Sequence, residues 1–153
     1  MPSLVEQLAQ GANRPLIIDD CVELIDAQVK QKGFIIKSAY ATIKAIKKRF
    51  VPEVVDSMVD DWLGKLQPHY DKWSAAKTST LSAYLVSRSG DVAEDLLSVT
   101  DARAERSSHT TAKKMYGKMR EGAKQNVIEA IPALAAMIEK RLAALPAQPA
   151  ASV

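Results

Sequence analysis

Apolar residues recur along this chain at intervals of three and four, the period of a helix with one face turned inward. Ser3-Leu4-Val5-Glu6 has the form of a capping box and opens a short helix that stops at Gly11. Pro15 suits the first turn of the next helix. There Ile18, Val22, Ile25 and Val29 make one stripe, Asp19, Asp20, Glu23 and Asp26 fall mostly elsewhere, and Gly33 is the stop. In the segment that follows, Ile36, Tyr40, Ile43, Ile46 or Lys47, and Phe50 trace the apolar line, while Lys37, Lys44 and Lys48 share another face. Pro52 restarts the chain. Val55, Met58, Val59, Trp62 and Leu66 carry the next stripe, which Pro68 is expected to break or kink.

After a loop over residues 75–80, Ser79 or Thr80 is placed to cap a helix over residues 81–87. Ser89-Gly90-Asp91 opens another, with Val92, Leu96 and Val99 inward. Residues 107–110 form the best interior break, with Thr110 or Thr111 as the next cap. Gly117 and Gly122 weaken a helix over residues 113–124, by about 1 kcal/mol each. The last stripe is Val127, Ile131, Leu134, Ile138, Leu142 and Leu145, bent at Pro132, and residues 146–153 are expected to be disordered. With no alternating β-branched run and no repeat of fixed period, the pattern predicts an all-α, compact bundle of about six to eight short helices, one domain over residues 1–145. Ile18, Ile25, Ile43, Val59, Leu96, Val99, Ile131 and Ile138 are its expected buried positions.

Composition narrows this further. Apolar residues are 47% of the 153, but only two Phe, two Trp and four Tyr are present, so the core must be aliphatic. A single cysteine excludes an intramolecular disulfide and suits a reducing cytoplasm. The first residues carry neither a basic region nor a long apolar run, so no targeting segment is expected. The longest apolar run, residues 130–138, is interrupted by Pro132 and falls well short of the roughly 20 residues a spanning helix needs.

Charge changes the picture more. It alternates in blocks of about one helix. Residues 29–50 hold seven bases (Lys30, Lys32, Lys37, Lys44, Lys47, Lys48 and Arg49) and no acid. Residues 51–62 hold Glu53, Asp56, Asp60 and Asp61 and no base, and residues 91–101 hold four acids and no base. Residues 102–126 set seven bases against Glu105 and Glu121. Either neighbouring helices neutralise one another, or the basic helices 30–49 and 103–124 face an anionic partner. The residues that would meet it are Lys37, Lys44, Lys47, Lys48, Lys113, Lys114 and Lys118. Nucleic acid, an anionic membrane surface and another protein all remain open as that partner.

Catalytic signatures are sparse. His69 and His109 lie far apart, no Glu-x-x-His occurs, and neither a metal site nor a cofactor is expected. The glycines at 117 and 122 sit one residue off a phosphate-loop pattern that also lacks its Ser or Thr and its preceding strand. Cys21, beside the Ile18/Val22/Ile25 stripe, reads as a small hydrophobe rather than a nucleophile. The densest polar constellation is Asp101, Arg103, Glu105, Arg106 and His109. It is either an ion-pair tie, with Arg103 expected on a carboxylate, or a ligand cluster of Asp101, Arg103, Arg106 and His109.

Three stretches, residues 16–28 (LIIDDCVELIDAQ), 83–106 and 116–138, resemble a family of small, uncharacterised bacterial helical proteins catalogued as a domain of unknown function. The resemblance implies a stand-alone helical protein and brings no activity with it. Taken together, the sequence points to a cytoplasmic, non-enzymatic interaction protein working through its basic helices. The alternative is a small-molecule binder or enzyme using the cluster at 101–109.

Overall fold

Ser3 Oγ accepts from the amide of Glu6 at 3.1 Å and starts α1 (Leu4–Leu8) in a computed structural model of the chain. The structure describes residues 2–76, 78–106, 108 and 110–145; at 111, 112, 115, 116, 119 and 121 only the helical backbone is described. Gly11, at φ 57°, reverses the chain in the left-handed region that a glycine enters at little cost. Then follow α2 (Asn13–Lys30), α3 (Phe34–Ile46), α4 (Phe50–Ala76), α5 (Leu81–Ser87), α6 (Ser89–Glu105) and α7 (Thr110–Ala143). The described residues therefore form an all-α bundle of seven helices, as the periodicity predicts. Thr80 caps α5, accepting from the amide of Ala83 at 3.1 Å.

Two helices are not short. α4 runs 27 residues through Pro68, and α7 runs 34 residues through Gly117, Gly122 and Pro132. An interior proline costs about 3 kcal/mol. Against that, Leu63, Leu66 and His69 are buried around Pro68, and Ile131, Ala135 and Ile138 around Pro132. Each fully buried large aliphatic side chain contributes about 1.5–3 kcal/mol, so packing outweighs the local penalty.

Ion pairs and hydrogen bonds fix the directions of the long helices. Asp20 meets Arg141 and Lys32 meets Glu129, so α2 and α7 are antiparallel. Arg120 meets Asp101 and Lys124 meets Glu94, so α6 and α7 are antiparallel too. Arg103 reaches Ser57 and His69 reaches Asp95, which sets α4 against α6 in the same sense. α1 is tied to α4 through the Leu4 amide and Gln67, and α5 to α7 through the Ser82 amide and Glu139.

Of the eight positions expected inside, Val59, Leu96, Val99, Ile131 and Ile138 are buried. Ile18 and Ile25 are half-buried and Ile43 is 41% exposed. In α2 the fully buried position is Ile17 rather than Ile18, Ile25 lines an open apolar groove, and α3, which carries Ile43, lies against α2 and α4 at the edge of the bundle, burying no residue fully.

Candidate functional site

Four helices leave that groove between them. Its floor and walls come from α2 (Ile17, Cys21, Ile25, Gln28), α4 (Val59, Trp62, Leu66), α6 (Leu96, Leu97, Thr100) and α7 (Asn126, Val127, Ile131, Leu134, Ile138), with Ile36 of α3 at one end. Its volume is about 380 Å³ and it opens to solvent. That exceeds twice the ~150 Å³ apolar cavity known to hold a benzene ring.

The helix directions sort its lining. Gln28 and Lys32 are two of the last three lining residues of the α2 segment, Thr100 is the last of α6 and Asn126 the first of α7. Because α7 runs opposite to α2 and α6, these four polar groups share one end of the groove, and the other end is apolar, its heteroatoms being the sulfurs of Cys21 and Met137. Lys32 is mostly covered, its side chain 12% exposed, and its ammonium lies a loose 3.5 Å from Glu129. Among the described residues, Gln28 Oε1 is the buried side-chain polar atom that accepts no hydrogen bond. Burial, and then the neighbouring Asp20 charge, push the Cys21 thiol up to about 11, which keeps it protonated and matches its reading as a hydrophobe.

Beside the polar end stands α3. Its inner line, Ile36 and Tyr40, turns toward the bundle. The Tyr40 hydroxyl donates to Asp26 at 2.5 Å, and Lys44 reaches the same carboxylate at 3.3 Å. The Tyr40 bond, reinforced by Lys44, holds Asp26 below the usual carboxylate range, while burial and Asp26 push the phenol up. The outer line is Ile35, Ala39, Ile43 and Ile46, spaced four, four and three. Ile35 is 83% and Ile46 81% exposed, and Phe34 at the helix start is 83% exposed. The apolar arc of α3 is wider than the side the bundle covers.

Asp26 thus tethers α3, and the tether should fail in acid. A carboxylate whose folded pKa is depressed contributes stability above the ordinary carboxylate range, near pH 4, and loses it as pH falls through the lower folded value. Asp26→Asn at neutral pH is expected to speed amide exchange in α3 while moving Tm by less than about 2 °C, equivalent to roughly 0.5 kcal/mol. Unchanged exchange would show that the tether does not hold the helix.

The sequence-predicted cations divide. Lys44 pairs with Asp26 and Lys47 with Glu53 at 3.1 Å, so part of the block is neutralised by neighbouring helices. Lys37 and Lys48, with Arg49, are exposed and form no ion pair among the described residues. Lys113, Lys114 and Lys118 are likewise exposed on the first half of α7, which does not touch α3 among the described residues. The two basic segments are separate surfaces.

The Asp/Arg cluster is not gathered into one cleft. Asp101 receives two bonds from Arg120, at 3.0 and 2.8 Å, and Arg120 also binds Glu94, which Lys124 joins at 3.0 Å. These bonds hold Arg120 more firmly protonated and hold Glu94 below its usual range. Arg103 donates to the Ser57 hydroxyl at 2.8 Å rather than to the expected carboxylate, and Arg106 is exposed. His109 lies outside the described residues, as does the tail 146–153. No group of three His, Cys, Asp or Glu side chains among the described residues is placed to hold a metal ion. Arg120→Ala should cost about 1–2 kcal/mol, because it removes charge-assisted bonds from two carboxylates. That loss should exceed those of Arg103→Ala and Arg106→Ala in a urea titration; equal losses in all three would contradict the clamp.

A model of a family of unknown function, DUF6918, matches residues 4–142. The chain belongs to that family. The match runs from the first residue of α1 to the end of α7 but for one residue, so the groove and α3 both lie within it. No curated protein and no solved structure matches the chain. No helix among the described residues is long and apolar enough to cross a membrane.

The groove was missed at the level of sequence, although a signal was there. Gln28 and Lys32 continue the inward line Cys21–Ile25, and Thr100 continues Ala93–Leu97. Polar residues ending several inward stripes mark a buried polar end.

Proposed function

We propose that this protein is a peripheral binding module that docks on an anionic membrane surface through α3 and the turn after it. The carrying observation is the union, on one edge helix and the turn after it, of exposed large apolar side chains (Phe34, Ile35, Ile46) with cations that pair with no acid among the described residues (Lys37, Lys48, Arg49). A phosphate backbone would use the cations but leave the apolar groups in water. A lipid interface uses both, the apolar line entering the acyl boundary and the lysine stems reaching back to headgroups. Residues 29–50 carry no acid to oppose the approach. Lys113, Lys114 and Lys118 add positive charge that steers approach from a distance. A free Cys21 fits the reducing interior of a bacterial cell, where the facing leaflet is anionic.

Each cation near such a surface contributes about 1 kcal/mol, so Lys37, Lys48 and Arg49 together account for roughly a hundredfold in affinity. The test is co-sedimentation with vesicles of mixed phosphatidylglycerol and phosphatidylcholine. The native protein should bind at low salt and release as salt rises. The triple change to Gln should weaken binding at least tenfold with unchanged Tm. Failure of the native protein to bind these vesicles at low salt, where attraction is least screened, overturns the proposal. Retention of DNA or RNA instead would transfer the basic surface to nucleic acid.

A further inference from the structure

The groove is polar at one end and apolar along the rest, which is the profile of a single-chain amphiphile. We propose that it binds a long-chain carboxylate, with the acyl chain lying along α2 and α7 and the carboxylate beside Lys32. Three observations on the lining support this. Between Asn126 and Ile138 the α7 wall extends about 18 Å at 1.5 Å per residue, long enough for an extended chain. The strongly polar side chains of the lining (Gln28, Lys32, Thr100 and Asn126) meet at one end, and elsewhere the heteroatoms are only the Cys21 thiol, the Met137 thioether and the Trp62 indole nitrogen, an arrangement a head group requires and a wholly apolar guest does not. The cation there is single, and its present partner Glu129 is held loosely at 3.5 Å and half-exposed, so a carboxylate can replace it without stranding a buried acid. One positive charge matches one negative charge; a doubly charged phosphate would leave excess charge in a largely apolar surround.

Gln28 completes the head site. Its Oε1 is buried without a donor, and a half-turn about its last bond presents the amide N–H groups instead, so it serves either oxygen of the head. The proposal stands apart from membrane docking, since it rests on the groove rather than on the outer face of α3. The two share a geometry, because Ile36, at the polar end, lies in the first turn of the exposed helix.

Palmitate and its methyl ester are the probes, used without vesicles, at pH 8 and below the concentration at which the acid aggregates. Two groups of the groove itself give the readout. Trp62 lines it, and so does Cys21, the chain's one cysteine. Palmitate is expected to shift Trp62 emission saturably and to slow maleimide alkylation of Cys21 at least fivefold. The ester should bind about tenfold more weakly. Lys32→Gln should erase the difference between acid and ester while leaving ester binding unchanged. Ala130→Trp, which places a ring in the groove, should abolish both. Absence of Cys21 protection and of any emission change with palmitate overturns the proposal. Equal binding of acid and ester to the native protein overturns the placement of the head at Lys32. Cys21 protection that grows with protein concentration in the absence of palmitate, together with a dimer on sizing, would make the groove an interface between copies and also overturn it.

Discussion

Ile131→Ala is expected to cost about 2–5 kcal/mol, whereas Ile25→Ala, on a stripe with equally regular spacing, should cost about 1 kcal/mol. Ile131 also borders the groove, but it is 1% exposed in the second half of α7, with α5 and α6 packed along that helix. Removing its outer carbons there loses transfer energy and leaves a void that surrounding helices close only in part. Ile25 is half-buried along the groove, so its truncation widens a space already open to water and creates little new cavity. Urea denaturation measures both, as shifts in midpoint at unchanged slope. Equal costs at the two positions would mean that α2 is packed shut against α7 and that no groove separates them.

The second large effect concerns binding rather than stability. Phe34→Ser with Ile35→Ser is expected to lower partitioning onto anionic vesicles roughly a hundredfold. Full burial of one such side chain contributes about 1.5–3 kcal/mol, and partial entry of two into the interface amounts to about two factors of ten. Both are 83% exposed in the folded protein, so the double variant should unfold at the native midpoint or slightly above it. The loss should persist in high salt, unlike the loss from the Lys37/Lys48/Arg49 change, because the apolar term is not screened. A double variant that binds vesicles like the native protein would leave α3 a purely electrostatic surface.

Much of the architecture was legible in the chain. Ser3 and Thr80 mark helix starts because capping chemistry is local, and the stripes through Val59, Leu96 and Ile131 are buried because a regular period over several turns leaves few other solutions. Pro68 does not break α4, for a physical reason: its penalty is local, while the burial that offsets it comes from residues distant in sequence. Ile25 and Ile43 misled similarly. Periodicity says which face is apolar, not whether a neighbour arrives to cover it. α3 has an apolar arc on a short helix at the bundle edge, and only its inner half finds a partner.

The charge blocks were legible as blocks but not as pairs. Nothing in the spacing says that Lys44 and Lys47 meet Asp26 and Glu53 while Lys37 and Lys48 do not, since each pairing depends on how α3 sits against α2 and α4. Arg120 went unnoticed beside Asp101, Arg103 and Arg106 because nineteen positions separate it from the carboxylate it clamps, and only the antiparallel return of α7 joins them. The polar end of the groove is the same kind of feature, assembled from three helices and visible in sequence only as polar residues closing apolar stripes.

The most direct measurement places a reporter on the outer face of α3. In a Phe34→Trp variant, the difference in emission from the native protein isolates the new indole from Trp62 and Trp73. On vesicles of phosphatidylglycerol and phosphatidylcholine at low salt, we expect that difference spectrum to shift to the blue and to be quenched by lipids brominated along the acyl chain, with neither change on phosphatidylcholine alone. An emission that stays at the wavelength of a water-exposed indole, while the protein is bound to the anionic vesicles, would show that the molecule meets the membrane with another face and would contradict the assignment of α3.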